Sequence, residues 1–181
     1  MNQHVLILGN PVLRERSEPV TDFGSKETAK IIEDLKNELE LFRKRNGFGR
    51  GIAAIQVGIK RRVIALNLGQ GPFCILNPEI TFRSEEVFRM WDDCMSFPDL
   101  VVRVLRHTTI NIKYTDEDGN IQEWKEISQD ISELLQHEID HLDGILATDR
   151  AIERGDIIYK CEYMKNKEQY DSLVDYFIQA T

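Results

Sequence analysis

Between Ser25 and Arg45 apolar side chains recur at three- and four-residue steps. Ala29, Ile32, Leu35, Leu39 and Phe42 share one side, with Glu, Asp and Lys between them. That period predicts an amphipathic helix with one buried face. Asn46-Gly47 ends it, because both residues tolerate the left-handed geometry of a helix C-terminus. The apolar run Val5–Leu8 predicts a short strand or extended arm, closed by the punctuation of Asn10-Pro11. Gly47 to Gly58 is glycine-rich and then apolar. Short apolar runs at Arg62–Leu68, Cys74–Leu76, Ile80–Phe82, Val101–Val104, Thr109–Tyr114 and Ile121–Ile127 predict strands. Gly69-Gln70-Gly71-Pro72 and Asn77-Pro78 break the first three of them. Asp116 to Asn120, with its Asp118-Gly119, predicts the turn of a hairpin. Helical spacing returns from Ile131 to Leu142, closed by Asp143-Gly144, and the tail from Lys160 to Gln179 predicts a last helix.

Helices and antiparallel hairpins alternate without a βαβ rhythm, so the expected class is α+β. There is no internal repeat, low-complexity tract or linker-like segment. With 181 residues, one domain spanning 1–181 is expected. The composition sharpens this only by exclusion. Lys plus Arg total 23 and Asp plus Glu 31, a net charge of −8, which disfavours binding to nucleic acid through clustered cations. Three cysteines, Cys74, Cys94 and Cys161, are too few for a disulfide framework and fit a reducing compartment. The start lacks the basic and long apolar regions of a signal peptide, and no run approaches a membrane span, so a cytoplasmic protein is expected.

The segment that carries chemistry is His137-Glu138-Ile139-Asp140-His141. Residues four apart share a helix face, so both imidazoles can point at one metal ion. Glu138, beside the first of them, can reach a water at that ion and take its proton. A catalytic metal usually has three protein ligands. The third is either a carboxylate downstream or a cysteine upstream, and Cys94 is a soft anionic candidate. Asp140 points away from the face of the two histidines and reads as a partner rather than a ligand. Cys74 and Cys161 read as inert thiols, and His4 and His107 have no evident partner.

Three segments, in order and at similar spacing, resemble the peptide deformylases. They are Gly49-Arg50-Gly51-Ile52-Ala53-Ala54-Ile55-Gln56-Val57-Gly58, Asp92-Asp93-Cys94-Met95-Ser96, and Gln136-His137-Glu138-Ile139-Asp140-His141-Leu142-Asp143-Gly144. Ile7 to Arg14 also resembles the family's opening arm, so the likeness covers roughly residues 5 to 150. The resemblance implies antiparallel strands packed around a central metal-binding helix. It implies a metal held by Cys94, His137 and His141, ferrous iron being usual in the family and Zn2+, Ni2+ or Co2+ also suited to those ligands. It makes Glu138 the general base and acid, with Gln56 (side-chain amide) and Met95 (backbone N–H) stabilising the oxyanion. The substrate it implies is the N-terminal formyl-methionine of a newly made polypeptide, with formate as product. The groove would draw on Gly51, Ile52, Met90, Asp92, Asp93 and Glu133. Arg106 would pair with Asp92. A ribosome contact through the C-terminal segment belongs to the same family picture, although Tyr159 to Thr181 is not notably basic.

Two departures stand out against that pattern. Asp92-Asp93 precedes the cysteine where the family has Glu-Gly, which adds a side chain and a charge near the substrate strand. Glu133, one turn before His137, replaces an apolar position, and a carboxylate there costs desolvation unless paired. Both predict a side-chain pocket that is more polar than usual, or rebuilt by Met90, Phe97 or Arg50. They also keep two rival readings open: hydrolysis of another N-formyl or N-acyl amine, and a silent homologue that only binds peptides.

Overall fold

The computed structural model describes residues 5–178. Ser25 caps α1 (Lys26–Asn46), its hydroxyl accepting the Thr28 N–H at 3.1 Å, and Gly47 ends it at φ 74°. Its buried face is Thr28, Ile31, Ile32, Leu35 and Leu39. The strands β1 (Gly51–Ala53), β2 (Val63–Asn67), β3 (Pro72–Arg83), β6 (Ile110–Thr115) and β7 (Ile121–Trp124) form one antiparallel sheet in the order β1-β2-β3-β6-β7. A second antiparallel sheet has the order β4-β5-β8, from β4 (Val87–Asp92), β5 (Leu100–His107) and β8 (Ile157–Tyr159). The expected α+β class with antiparallel strands is therefore what the chain adopts.

The long helix α2 (Gln129–Leu142) is buried along nearly its whole length, from Ser132 to Leu142. Leu134, Leu135, Ile139 and Leu142 pack with Ile64, Leu66, Ile75, Ile110 and Ile112 of the larger sheet. Its opposite side faces the smaller sheet and carries polar groups. A helix wedged between two sheets can bury such groups only if they find partners. Those buried polar groups make the site.

The structure corrects the sequence reading in three places. The two strands expected at Cys74–Leu76 and Ile80–Phe82 are one strand, β3. Asn77, at φ 51°, forms an irregularity between Leu76 and Glu79 instead of a break. Its amide holds Val20 by two 2.8 Å bonds, which is why the left-handed conformation persists there. Strands β1, β4 and β8 have no counterpart among the expected strands. Of the two forms expected for Val5–Leu8 the chain takes the extended arm, held by Leu6 N–H to the Gln56 backbone carbonyl (2.7 Å) and Leu8 N–H to the Ser96 carbonyl (2.8 Å). The expected C-terminal helix is two short helices, α3 (Lys160–Lys165) and α4 (Lys167–Asp171), followed by extended chain. Gln179, its expected end, and His4 lie outside the described residues. The hairpin turn at Asp116 to Asn120 forms as expected, with the Asp116 carboxylate accepting the Asn120 N–H at 2.8 Å.

Candidate metal centre

Helix α2 presents His137 and His141 on one face, as their spacing requires. Cys94 arrives on the loop that leaves β4. The Cys94 Sγ stands 3.2 Å from the His141 Nε2, which stands 3.2 Å from the His137 Nε2. All three residues are buried, and these ligating atoms lie within 4.8 Å of one another. Around a tetrahedral ion, with nitrogens at about 2.0–2.1 Å and sulfur at about 2.3 Å, neighbouring donors stand roughly 3.3–3.6 Å apart. The donor set and its spacing fit a single divalent metal.

Behind the donors lies a chain of charged partners. His137 Nδ1 meets the Asp92 carboxylate at 3.0 Å, which leaves Nε2 facing the other donors. Asp92 accepts from Arg106 at 2.8 Å, Arg106 donates to Asp140 at 2.6 Å, and Asp140 accepts from Arg150 at 2.6 and 2.9 Å. Asp140 thus faces away from the donors, as its position on the helix predicts, and closes the chain. Burial alone would raise the Asp92 pKa; His137 and then Arg106 override it and hold the group well below the usual carboxylate range. Burial opposes a charge on His137, but Asp92 and Cys94 outweigh it and raise its pKa. His141 goes the other way, lowered by burial and by the neighbouring His137. An imidazole held this way by a carboxylate is fixed in ring orientation and made a better ligand.

Glu138 is buried at the edge of a cavity of about 280 Å³, and burial pushes its carboxyl up to about 7. Its Oε2 has no hydrogen-bond partner among the described residues. A buried carboxylate oxygen left open costs stability, and a pKa near neutrality suits a group that accepts and returns protons. The same cavity is lined by Gly51, Gln56, Asp92, Asp93, Cys94, Met95, Glu133 and His137. The Gln56 side-chain Oε1 accepts the Ala53 N–H at 2.8 Å, which turns the amide Nε2 toward Cys94 Sγ (3.5 Å) and Ser96 Oγ (3.2 Å).

A family model described as polypeptide deformylase matches residues 2–156. The chain belongs to that family. Curated deformylases similar to it include those of Caldanaerobacter subterraneus, 34% identical over 83% of this chain and 89% of its relative, and of Thermotoga maritima, 36% identical over 81% and 85%. Among solved structures, the Thermotoga maritima peptide deformylase superposes with a TM-score of 0.75 at 35% identity, covering 82% of this chain and 97% of that one. A probable peptide deformylase of synechococcus phage S-SSM7 has the same fold with a TM-score of 0.71 at 34% identity, covering 81% and 97%. Deformylases depend on a metal, and the Cys94, His137 and His141 donors are compatible with one.

Several expected groove residues are placed differently from the sequence reading. Ile52 and Met90 are fully buried in apolar clusters and do not line the cavity, and Phe97 is likewise core. Asp92 lines it, yet its carboxylate is committed to His137 and Arg106. Asp93 is tied to Lys160 at 2.9 Å. Gly51 lines the cavity for a reason the sequence did not show: a Cβ there would stand 2.8 Å from the Glu138 Oε1. Gly51→Ala is therefore expected to displace the carboxylate and lower kcat for formate release about a hundredfold while metal content holds, a loss of the size one misplaced catalytic group produces. Formate release kinetics with metal analysis of the variant decide it; unchanged kcat would show that Glu138 tolerates the shift. Sequence reasoning missed Phe48, Leu134 and Ile178, which also line the cavity. Ile178 comes from the C-terminal arm and carries no local signal. Cys74 is buried with its thiol pushed up to about 12 by burial, and Cys161 is exposed and outside the donor cluster.

Proposed function

We propose that this protein removes the formyl group from the N-terminal methionine of newly made polypeptides and releases formate. The observation that carries the reading is the convergence of Cys94, His137 and His141 donors beside the open carboxylate of Glu138 at one cavity. Cys94, His137 and His141 would hold the divalent ion, ferrous iron in this proposal; once bound, it supplies Lewis acidity that polarises the formyl oxygen and acidifies water. Glu138 takes the proton of the attacking water and passes it to the leaving amine, so the peptide departs neutral. Gln56 and the Met95 backbone N–H donate to the oxygen as it gains charge. Asp92 holds the His137 ring, and through Arg106 and Asp140 that hold is anchored to α2 itself.

The whole chain acts as one catalytic domain in this proposal. It works in the cytoplasm, where the Cys94 thiol stays reduced, and meets its substrate as the nascent chain leaves the ribosome. Among the described residues no helix is long and apolar enough to cross a membrane.

The test is to load the protein with ferrous iron without oxygen and measure formate released from formyl-Met-Ala-Ser. Activity is expected with one metal per chain, to vanish on chelation and to return with Fe2+. Air is expected to inactivate the iron form, because a thiolate ligand and ferrous iron both oxidise. No formate from a correctly filled site would overturn the reading. Reloading with Zn2+, Ni2+ or Co2+ identifies the metal: equal activity with Zn2+ would remove the case for iron.

A further inference from the structure

Gln56 and Met95, the two donors to the developing oxyanion, sit on separate segments. Gln56 lies in the short 3-10 turn Ala54–Val57 after β1, and Met95 follows Cys94 on the loop that leaves β4. One side-chain bond spans the two segments: Gln56 Nε2 donates to Ser96 Oγ at 3.2 Å. An amide nitrogen carries two hydrogens. Ser96 takes one, and the other is directed toward Cys94 Sγ at 3.5 Å, the side on which the metal donors lie.

The extended arm Val5–Leu8 makes the second connection. Leu6 donates its N–H to the Gln56 backbone carbonyl at 2.7 Å, and Leu8 donates its own to the Ser96 carbonyl at 2.8 Å. Packing repeats the pattern. Val5 packs against the apolar cluster that holds Met95 and Ala54, and Leu8 against the cluster that holds Cys94 and Phe97. Gln56 is 1% exposed and Ser96 0%, so a carbonyl released by the arm would lose its partner in the interior. The arm closes in a turn. Asn10 N–H donates to the Ile7 carbonyl at 3.0 Å, and Gly9 stands at φ 103° while Leu8 is not among the positive-φ residues. A left-handed glycine at the third position alone makes it a type II turn, with Leu8 second.

We propose that this arm is a strap that aims the oxyanion donors, with Leu6 and Leu8 acting as positioning residues through their backbone N–H groups and Ser96 through its hydroxyl. The inference rests on the deformylase reading and deepens it. Donors fixed in advance stabilise a transition state only where they already stand at the place the charge develops, and a loose supporting shell loses that gain. The formyl oxygen carries its full charge only in the transition state, so a misaimed donor lowers kcat and leaves KM nearly unchanged.

The decisive variant is Leu8→Pro. Proline suits the second position of a type II turn, so the turn survives, but it has no N–H to give Ser96. On the iron-loaded full chain with formyl-Met-Ala-Ser, kcat is expected to fall about tenfold, with KM within about twofold and metal still one per chain. In a Gln56→Ala background the same substitution is expected to cost less than about threefold, because one of the donors the strap aims is already gone. Leu8→Ala keeps the N–H and loses only packing, so its kcat is expected to stay above that of Leu8→Pro even where its melting temperature is lower. Equal losses in both backgrounds, or a kcat that follows melting temperature across the two Leu8 variants, would reduce the arm to a packing element and overturn the proposal. Hydrogen exchange of the Gln56 side-chain amide, read by NMR on the zinc-loaded protein, reports the strap apart from hydrolysis. Exchange is expected to quicken about tenfold or more in Leu8→Pro. Faster exchange in a protein whose wild type releases no formate keeps the strap and sinks the deformylase reading alone. Unchanged exchange overturns the strap.

Discussion

Replacing Glu138 with glutamine is expected to lower kcat for formate release about a thousandfold while leaving metal content at one per chain. Glutamine keeps the length and shape of the side chain but cannot accept and return a proton, and positioned acid–base groups contribute about 10²–10⁴ in rate. Metal binding survives because the donors are Cys94 Sγ and the two imidazoles, none of which hydrogen-bonds to Glu138 in the structure. Stability is expected to hold or rise. The carboxylate is buried with one oxygen open, and burial already pushes it up to about 7, so the folded chain gains nothing from the charge. Such a site is one where function is kept at a cost in stability. The decisive pattern is low kcat, near-normal metal stoichiometry and an unchanged or higher melting temperature. Low kcat accompanied by metal loss would assign Glu138 to holding the site rather than to proton transfer.

How much of this arrangement could be read from the chain differs element by element. The donors of α2 were legible because helical period fixes which side chains share a face, and four-residue spacing is a purely local fact. The pairing of Arg106 with Asp92 was reachable only through the family's pattern, since 14 residues and a strand turn separate them. Strand β4 escaped because Val87 to Asp92 shows no clean alternation. Phe88, Met90, Trp91 and Asp92 are all buried, one face meeting Val102 and Val104 and the other the C-terminal segment. The tail misled for a related reason. Its composition permits helix, but the chain leaves helical geometry at Asn166 (φ −121°) and again after Asp171, and the bonds between Arg89 and Asp175 hold the terminal arm extended. Glu133 was legible as an anomaly in its helix. Its partner Arg50, 83 residues away, was not, because no local pattern encodes a pairing at that distance.

The second large effect is expected at Arg106, which touches neither donor nor cavity. Arg106 is buried and holds two carboxylates apart, Asp92 at 2.8 Å and Asp140 at 2.6 Å. Arg106→Met fills much of the same volume but leaves both carboxylates in the interior without it. Removing one member of a buried ionic group costs about 3–5 kcal/mol, because the charge left behind is uncompensated. For a chain of this size that lowers the melting temperature by roughly 10 °C or more. Asp92 keeps His137 but loses its own anchor, so the imidazole is oriented less firmly, and metal affinity is expected to fall about ten- to a hundredfold. Calorimetry and metal titration against a competing chelator read the two effects separately. The triple variant Arg106→Met/Asp92→Asn/Asp140→Asn removes the stranded charges with the cation. It should regain most of the melting temperature and little of the metal affinity, because the carboxylate that orients His137 is gone. Recovery of both together would show that the chain of charges serves stability alone, and recovery of neither would show that packing around Arg106, rather than its charge, carries the effect.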